Sequence, residues 1–271
     1  MTGVGLVEEN LRLAMSIFAG ATGCGECRRM PGLLIASAGL DCAVFNAALL
    51  EPPAVQSQAE LERRLLSAAV HYQARGLPWS FWLAEELVKP SLRRQAEGIL
   101  ARCGLVNISV CPGMIADHLA PPRTPASGIE FQPTTRAEAR LAFCHVMGAV
   151  FALPFRIARA IYGAEWIWRN GFQGWVGYVD GDAVTTAAVI AGRQVAGVYA
   201  VATLPAWRRR GYAEAVTRHA LEQVRRSTGI ERSVLQATPA GLPLYRKMGY
   251  RQTTTVSVYR SGQTAKLAVT A

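Results

Sequence analysis

The stretch Val198 to Glu214, VYAVATLPAWRRRGYAE, decides how this chain is read. It opens with an apolar, β-prone run from Val198 to Thr203. Leu204 and Pro205 end that run, because proline cannot donate to a sheet ladder. Three arginines follow (Arg208, Arg209, Arg210), then Gly211, Tyr212 and Ala213. Ala215, Val216, His219, Ala220 and Val224 then recur at helical spacing. The order is strand, tight basic turn, helix. A helix N-terminus presents unpaired N–H groups and a partial positive charge, which together suit an anion. Gly211 and Ala213 have almost no side chain, so a phosphate can approach the backbone there.

Arg208-x-x-Gly211-x-Ala213 resembles the R/Q-x-x-G-x-G/A pyrophosphate loop of the GNAT acetyltransferases. The preceding Val201-Ala202-Thr203-Leu204-Pro205 is similar to the end of that family's fourth strand. Downstream, Val234 to Thr238 resembles the fifth strand, and Gly241 to Tyr250 (GLPLYRKMGY) resembles the final helix-to-strand signature. Three motifs in this order make the resemblance specific where the six-residue loop alone is not. It implies an α/β (α+β) GNAT fold, with a mixed, mostly antiparallel sheet flanked by helices, and acetyl-CoA as co-substrate without a metal.

The same resemblance implies roles. The backbone of Val201, Ala202 and Thr203 holds the pantetheine and thioester region, and the Val201 N–H polarises the acetyl carbonyl. Arg208, Arg209, Arg210, Gly211, Tyr212 and Ala213 form the pyrophosphate cradle, mainly through backbone amides. Tyr245, four residues before Gly249, matches the family tyrosine near the sulfur and is expected to protonate the departing thiolate. A phenol with an ordinary pKa of about 10 is protonated at neutral pH and can do so. The general base is open. Glu165, beside Trp166 and Trp168, is the first choice, and a water relay is equally compatible. Asp180, Asp182, Glu214, His145 and His219 are the other titratable groups available. Trp166, Trp168 and Trp175 fit either an apolar acceptor pocket or ordinary core packing.

The N-terminal half shows a helix near 5–20, then a pattern of β-β-α-β-α-β. Strands are expected at 32–37, 42–47, 79–83 and 105–114, and helices at 59–75 and 90–103. Residues 23–32 read as a connection. Val44-Phe45-Asn46, Leu77 to Trp82, and Cys103 to Met114 resemble the front halves of tandem acetyltransferase-like bacterial proteins. This half has no R-x-x-G-x-G/A turn in the expected place, which implies a degenerate copy that walls the cleft or holds the other half. The Pro-, Ser- and Gly-rich run around 121–128 reads as a linker. The expected organisation is 1–120 degenerate GNAT-like domain, 121–128 linker, 129–271 catalytic domain. In the latter, Thr135 and Glu138 suggest a capping box. Helices are expected to Phe151 and from Phe155 to Trp168, and a hairpin across Asp180-Gly181-Asp182.

With 271 residues, half of them apolar, the chain can build one large core or two ordinary ones. Its net charge of +10 is mostly arginine, which suits bidentate phosphate and carboxylate contacts. No zinc-finger or RNA-binding signature accompanies that charge. Polycationic acceptors are disfavoured by like-charge repulsion. Cys24-Gly25-Glu26-Cys27 is a lone C-x-x-C without the second pair that a zinc site needs. No stretch approaches the ~20 apolar residues of a membrane span. Leu11 to Gly23 lacks a basic leader, since Glu8 and Glu9 precede it. The expectation is a cytoplasmic enzyme, monomeric or homodimeric, that transfers acetyl groups to a small amine-bearing molecule, with no nucleic-acid or membrane partner. The alternatives are a non-catalytic acetyl-CoA sensor or scaffold, another acyl-CoA donor, or a protein amine as acceptor.

Overall fold

A computed structural model describes residues 3–122 and 126–262. Residues 123–125 of the expected linker lie outside the described residues. The elements run α1 (Gly3–Ala19), β1 (Glu26–Met30), β2 (Leu33–Ser37), β3 (Asn46–Leu50), α2 (Gln58–Gln73), β4 (Ser80–Ala84), α3 (Pro90–Arg102) and β5 (Leu105–Ala116). The second half continues with β6 (Glu130–Pro133), α4 (Ala137–Phe151), α5 (Phe155–Ala158), α6 (Glu165–Arg169), β7 (Phe172–Val179) and β8 (Asp182–Ala191). It ends with β9 (Ala196–Thr203), α7 (Tyr212–Thr228), β10 (Ser233–Gln236), α8 (Leu242–Lys247) and β11 (Arg251–Ser261).

All eleven strands form one sheet, in the order β1-β2-β3-β4-β11-β5-β10-β9-β8-β7-β6. Exchanging the two halves reverses this order and leaves it unchanged, β6 aside. Each half therefore repeats helix, three antiparallel strands, helix, strand, helix, strand. In each half one strand pair is parallel: β3 with β4, and β9 with β10. The halves also exchange strands. The C-terminal strand β11 lies between β4 and β5, and the N-terminal half's β5 lies between β11 and β10.

Local chemistry explains the element boundaries. Asp180 and Gly181 both take positive φ, as a two-residue hairpin turn requires. Gly229 closes α7 in the left-handed conformation. Pro90 starts α3, where a missing N–H costs nothing. Helix α1 packs across both halves. Leu6 and Val7 form one cluster with Ile115, Val195 and Val234, while Leu11, Met15 and Phe18 join the larger core on the N-terminal strands.

Four expectations need correction. Residues 26–30 are a strand, not a connection. Its side chains are mostly exposed at the sheet edge, so no apolar alternation announces it. The second strand of the N-terminal hairpin begins at Asn46, because Ala43–Phe45 forms a 3-10 turn. Helix α4 starts after Arg136 with no side-chain cap, since Arg140 takes the carbonyls of Thr134 and Thr135. The helix expected from Phe155 to Trp168 is broken by a π turn at Arg159–Gly163 and by extended Ala164.

Candidate active site

The parallel pair β9–β10 is joined only at Ala196–Ser233 and Gly197–Val234. Beyond Gly197 the two strands part, and the edge of β9 from Val198 to Thr203 has no strand partner on the β10 side. Within that free edge lies a bulge. Thr186 faces Ala202 and Ala188 faces Tyr199, so Ala200 and Val201 oppose the single residue between. Ala200 sits at φ 50°. Threonines of β8 pin this irregular backbone: Thr186 Oγ1 donates to Ala200 O at 2.9 Å, and Thr185 Oγ1 to Ala202 O at 2.7 Å. A bulge re-aims backbone groups out of the ladder. Here it turns the segment that includes Val201 toward an open wedge.

The wedge leads into the basic turn. Pro205–Trp207 makes a 3-10 turn, Arg209 takes φ 64°, and Gly211 takes φ 83° as the N-cap of α7. No side chain caps that helix. Successive N–H groups around left-handed residues form an anion-binding concavity. Among the described residues a methyl group added at Gly211 would meet only Ala126 Cβ, at 3.7 Å. Arg208 folds back, its Nε donating to Thr203 O at 3.1 Å, and the Arg210 guanidinium lies 5.0 Å over the Trp207 ring. Arg208, Arg209 and Arg210 are all exposed, while Tyr212 is buried against Val179 and Val184.

The corresponding turn of the N-terminal half is closed. Strand β3 pairs with β2 from Ser37–Asn46 to Leu33–Leu50 without a bulge. Ser57 caps α2 by accepting from the Glu60 N–H, and Glu60 Oε2 accepts from the Gln56 N–H at 2.9 Å. The helix end thus carries its own carboxylate. Arg64 is buried and donates to the carbonyls of Gly32, Glu51 and Pro53 at 2.9, 3.3 and 3.2 Å. Replacing Arg64 by alanine takes a donor from three carbonyls, of which Gly32 O keeps the Glu51 N–H, and frees Glu60, so stability should fall by about 2–4 kcal/mol. Denaturant unfolding measures this. Acetyl-CoA affinity, read by calorimetry, should stay unchanged.

Tyr245 on α8 is buried in one cluster with Val198, Leu235, Ala237 and Tyr250, and Val201 packs against the same cluster. Burial pushes its phenol well above the ordinary range, so the hydroxyl keeps its proton. The structure therefore brings Val201 and Tyr245 to one face of the sheet, the face that α7 covers. It does not bring Glu165 to them. Glu165 lies with α6 on the α4 side, paired with Arg140 at 3.2 Å and Arg169 at 2.8 Å. Two guanidiniums thus occupy this carboxylate away from Val201 and Tyr245.

Three of the other titratable groups, Glu214, His219 and His145, have structural partners. Glu214 accepts from Arg218 at 2.9 Å and Lys247 at 3.2 Å, tying α7 to α8. Burial raises its carboxyl, and the two cations more than offset that, leaving its pKa below the ordinary value. Stability from this group is present above the unfolded carboxylate pKa and is lost as pH falls through the lower folded one. Glu214→Gln should cost about 2 kcal/mol at pH 7, or roughly 5 °C in melting temperature. The difference from wild type should shrink in melts below about pH 4. His219 stacks on Phe131 at 4.3 Å, and burial lowers its pKa. His145 stacks on Phe155 at 4.6 Å. Trp175 and Trp168 pack on opposite faces of the sheet, and Trp166 is partly exposed, so the three line no common pocket.

One polar group at this place escaped the sequence reading. Tyr199 donates to Asn10 Oδ1 of α1 at 2.8 Å, and Gln236 of β10 lies beside the same phenol. An asparagine on an apolar helix face was the only signal for it. Among the described residues no group of three or more His, Cys, Asp or Glu side chains is placed to hold a metal ion. No helix is long and apolar enough to cross a membrane.

The wedge between two parallel strands, the bulge beside it and the glycine turn beneath a helix make up the geometry of this place. Residues 170–252 match the family described as acetyltransferase (GNAT) domain. A GCN5-related N-acetyltransferase from Kribbella flavida is similar over 92% of this chain and 94% of that one, with 22% identity and a TM-score of 0.69. A GCN5-related N-acetyltransferase from Sphaerobacter thermophilus aligns over 86% of this chain and 77% of that one, at 14% identity and a TM-score of 0.60. A tandem GNAT protein from the clavulanic acid biosynthesis pathway covers 96% of both chains at 12% identity, with a TM-score of 0.54. At these identities the likeness is one of fold. No curated protein matches the chain.

Proposed function

We propose that this protein is an acetyl-CoA-dependent N-acetyltransferase that acylates a primary amine of a small molecule by direct attack in a ternary complex. One contrast carries the reading. The C-terminal wedge and its glycine turn are open, with an uncapped helix behind them. The equivalent N-terminal turn is filled by Glu60 and Arg64. The N-terminal half, about 1–120, then serves as a degenerate copy joined through 121–128 to a catalytic half, 129–271.

Acetyl-CoA supplies an activated thioester. The turn from Arg208 to Ala213 fits a pyrophosphate through backbone N–H groups, with Arg209 and Arg210 exposed beside it. The free edge of β9 fits an extended pantetheine arm, and the Val201 N–H polarises the carbonyl. The amine nitrogen bonds to that carbon as the C–S bond breaks. Tyr245 gives its proton to the sulfur, for which a buried, protonated phenol is suited. Water accepts the proton lost by the amine, because Glu165 is held by Arg140 and Arg169.

Calorimetric titration of the whole chain with acetyl-CoA tests the proposal. One site per chain is expected, and titration with longer acyl-CoAs should give weaker binding. Two sites would restore ligand binding to the N-terminal half, and binding without coenzyme A release across an amine library would favour a sensor.

A further inference from the structure

The segment that joins the two halves is fastened to the C-terminal half at two places, one on each side of the start of α7. The first is Ala120. Its N–H donates to Met248 O at 2.9 Å, at the end of α8, and its carbonyl accepts from Arg218 Nη2 at 2.6 Å. Arg218 lies on α7 and also donates to Glu214 in the first turn of that helix, at 3.0 Å. The second place is Ala126. Among the described residues, its Cβ is what a methyl group added at Gly211 would meet, at 3.7 Å. That is ordinary van der Waals distance. Ala126, Ile129 and Trp207 pack together against Tyr212, Val179 and Val184.

Local chemistry accounts for this path. Gly128 takes φ 67°, which turns the chain out of the cluster and into β6 at no steric cost. Ile129 then sits in the same cluster as Ala126, so apolar contacts on both sides of the glycine fix residue 126 in place. The residues it packs with flank the basic turn. Trp207 ends the 3-10 turn before Arg208, and Tyr212 follows Gly211 as the first residue of α7. The Arg210 guanidinium lies 5.0 Å over the ring of that Trp207. An anion held by the N–H groups at Gly211 is therefore within reach of a long side chain at 126. Charges near a surface act on each other over about 8 Å at physiological ionic strength before salt screens them. Alanine presents neither charge nor bulk there.

We propose that Ala126 is a coenzyme-binding residue supplied by the linker: its side chain forms a wall beside Gly211 against which the diphosphate of acetyl-CoA packs. A residue outside the R-x-x-G-x-A turn then sets part of the coenzyme affinity, and the connection between the halves belongs to the site itself. This rests on the acetyltransferase reading above.

The test reads the sign of a charge placed at this position. Ala126→Lys and Ala126→Asp, each in the full chain, are titrated with acetyl-CoA by calorimetry at low and at high salt, beside the wild type. Residue 126 is half-buried, so either side chain can carry its charge to water. The lysine variant should bind at least about tenfold more tightly than the aspartate variant, and the ratio should shrink as salt is added. Gln56→Lys and Gln56→Asp, at an exposed position in the N-terminal turn, change the net charge equally and should leave the affinity unchanged. Thermal melts check folding, and Ala126→Arg with Ala126→Glu form a second pair should a member of the first fold poorly. Equal affinities of the two variants, a difference matched by the Gln56 pair, or a difference that salt does not diminish overturns the wall while leaving acetyl-CoA binding intact. Failure of the wild-type chain to bind acetyl-CoA would remove the function itself, and the wall with it.

Discussion

Gly211→Val should weaken acetyl-CoA binding at least about 100-fold, close to 3 kcal/mol. Two effects add. Gly211 holds φ 83°, and a β-branched residue there is strained by roughly 1–3 kcal/mol. The chain would relieve that strain by opening the turn, which disperses the N–H groups that face the pyrophosphate. Any valine that kept the turn would place its methyls where the ligand must approach. Because a Cβ at this position meets only Ala126 at 3.7 Å, the protein should still fold, with a modest fall in melting temperature. Calorimetry and a thermal melt on one preparation separate the two effects. Unchanged affinity would remove Arg208–Ala213 from the cofactor site.

Tyr245→Phe should lower kcat by about 10²- to 10³-fold with little change in acetyl-CoA affinity. The ring remains in its cluster, so the packing with Val198, Leu235 and Tyr250 survives. What disappears is the proton for the thiolate. The sign of the pH dependence follows from burial. Since the phenol is raised above its ordinary range, wild-type turnover should not decline with ionisation of Tyr245 up to about pH 10. Full activity of the phenylalanine variant across the pH range would show that water protonates the sulfur.

The strand–turn–helix unit of the proposed cofactor side was legible because its parts are local. Strand, proline, glycine turn and helix lie within the seventeen residues from Val198 to Glu214, and each is forced by backbone chemistry. The helix-to-strand unit that carries Tyr245 was legible for the same reason. What could not be read depends on distant partners. Glu165 looked available until Arg140, twenty-five residues away, was seen to hold it. Asn10 meets Tyr199 across 189 residues, and nothing in either segment announces the other. Strand β1 was missed because an exposed edge strand needs no apolar alternation. The linker reading marked a change in composition but could not show that both halves share one sheet.

That shared sheet bears on how the gene can change. A duplicated copy that has lost its ligand is ordinarily free to drift or be deleted. Here β5, encoded in the first half, forms the only backbone bridge between β10 and β11 of the second. Deleting the first half would leave those two strands with facing, unsatisfied edges. If the proposed function holds, mutations in the turn at 51–57 leave catalysis untouched, whereas mutations in β5 act directly on its neighbour β10. On the reading proposed above, the first half is retained by architecture, because the sheet of the second half runs through β5.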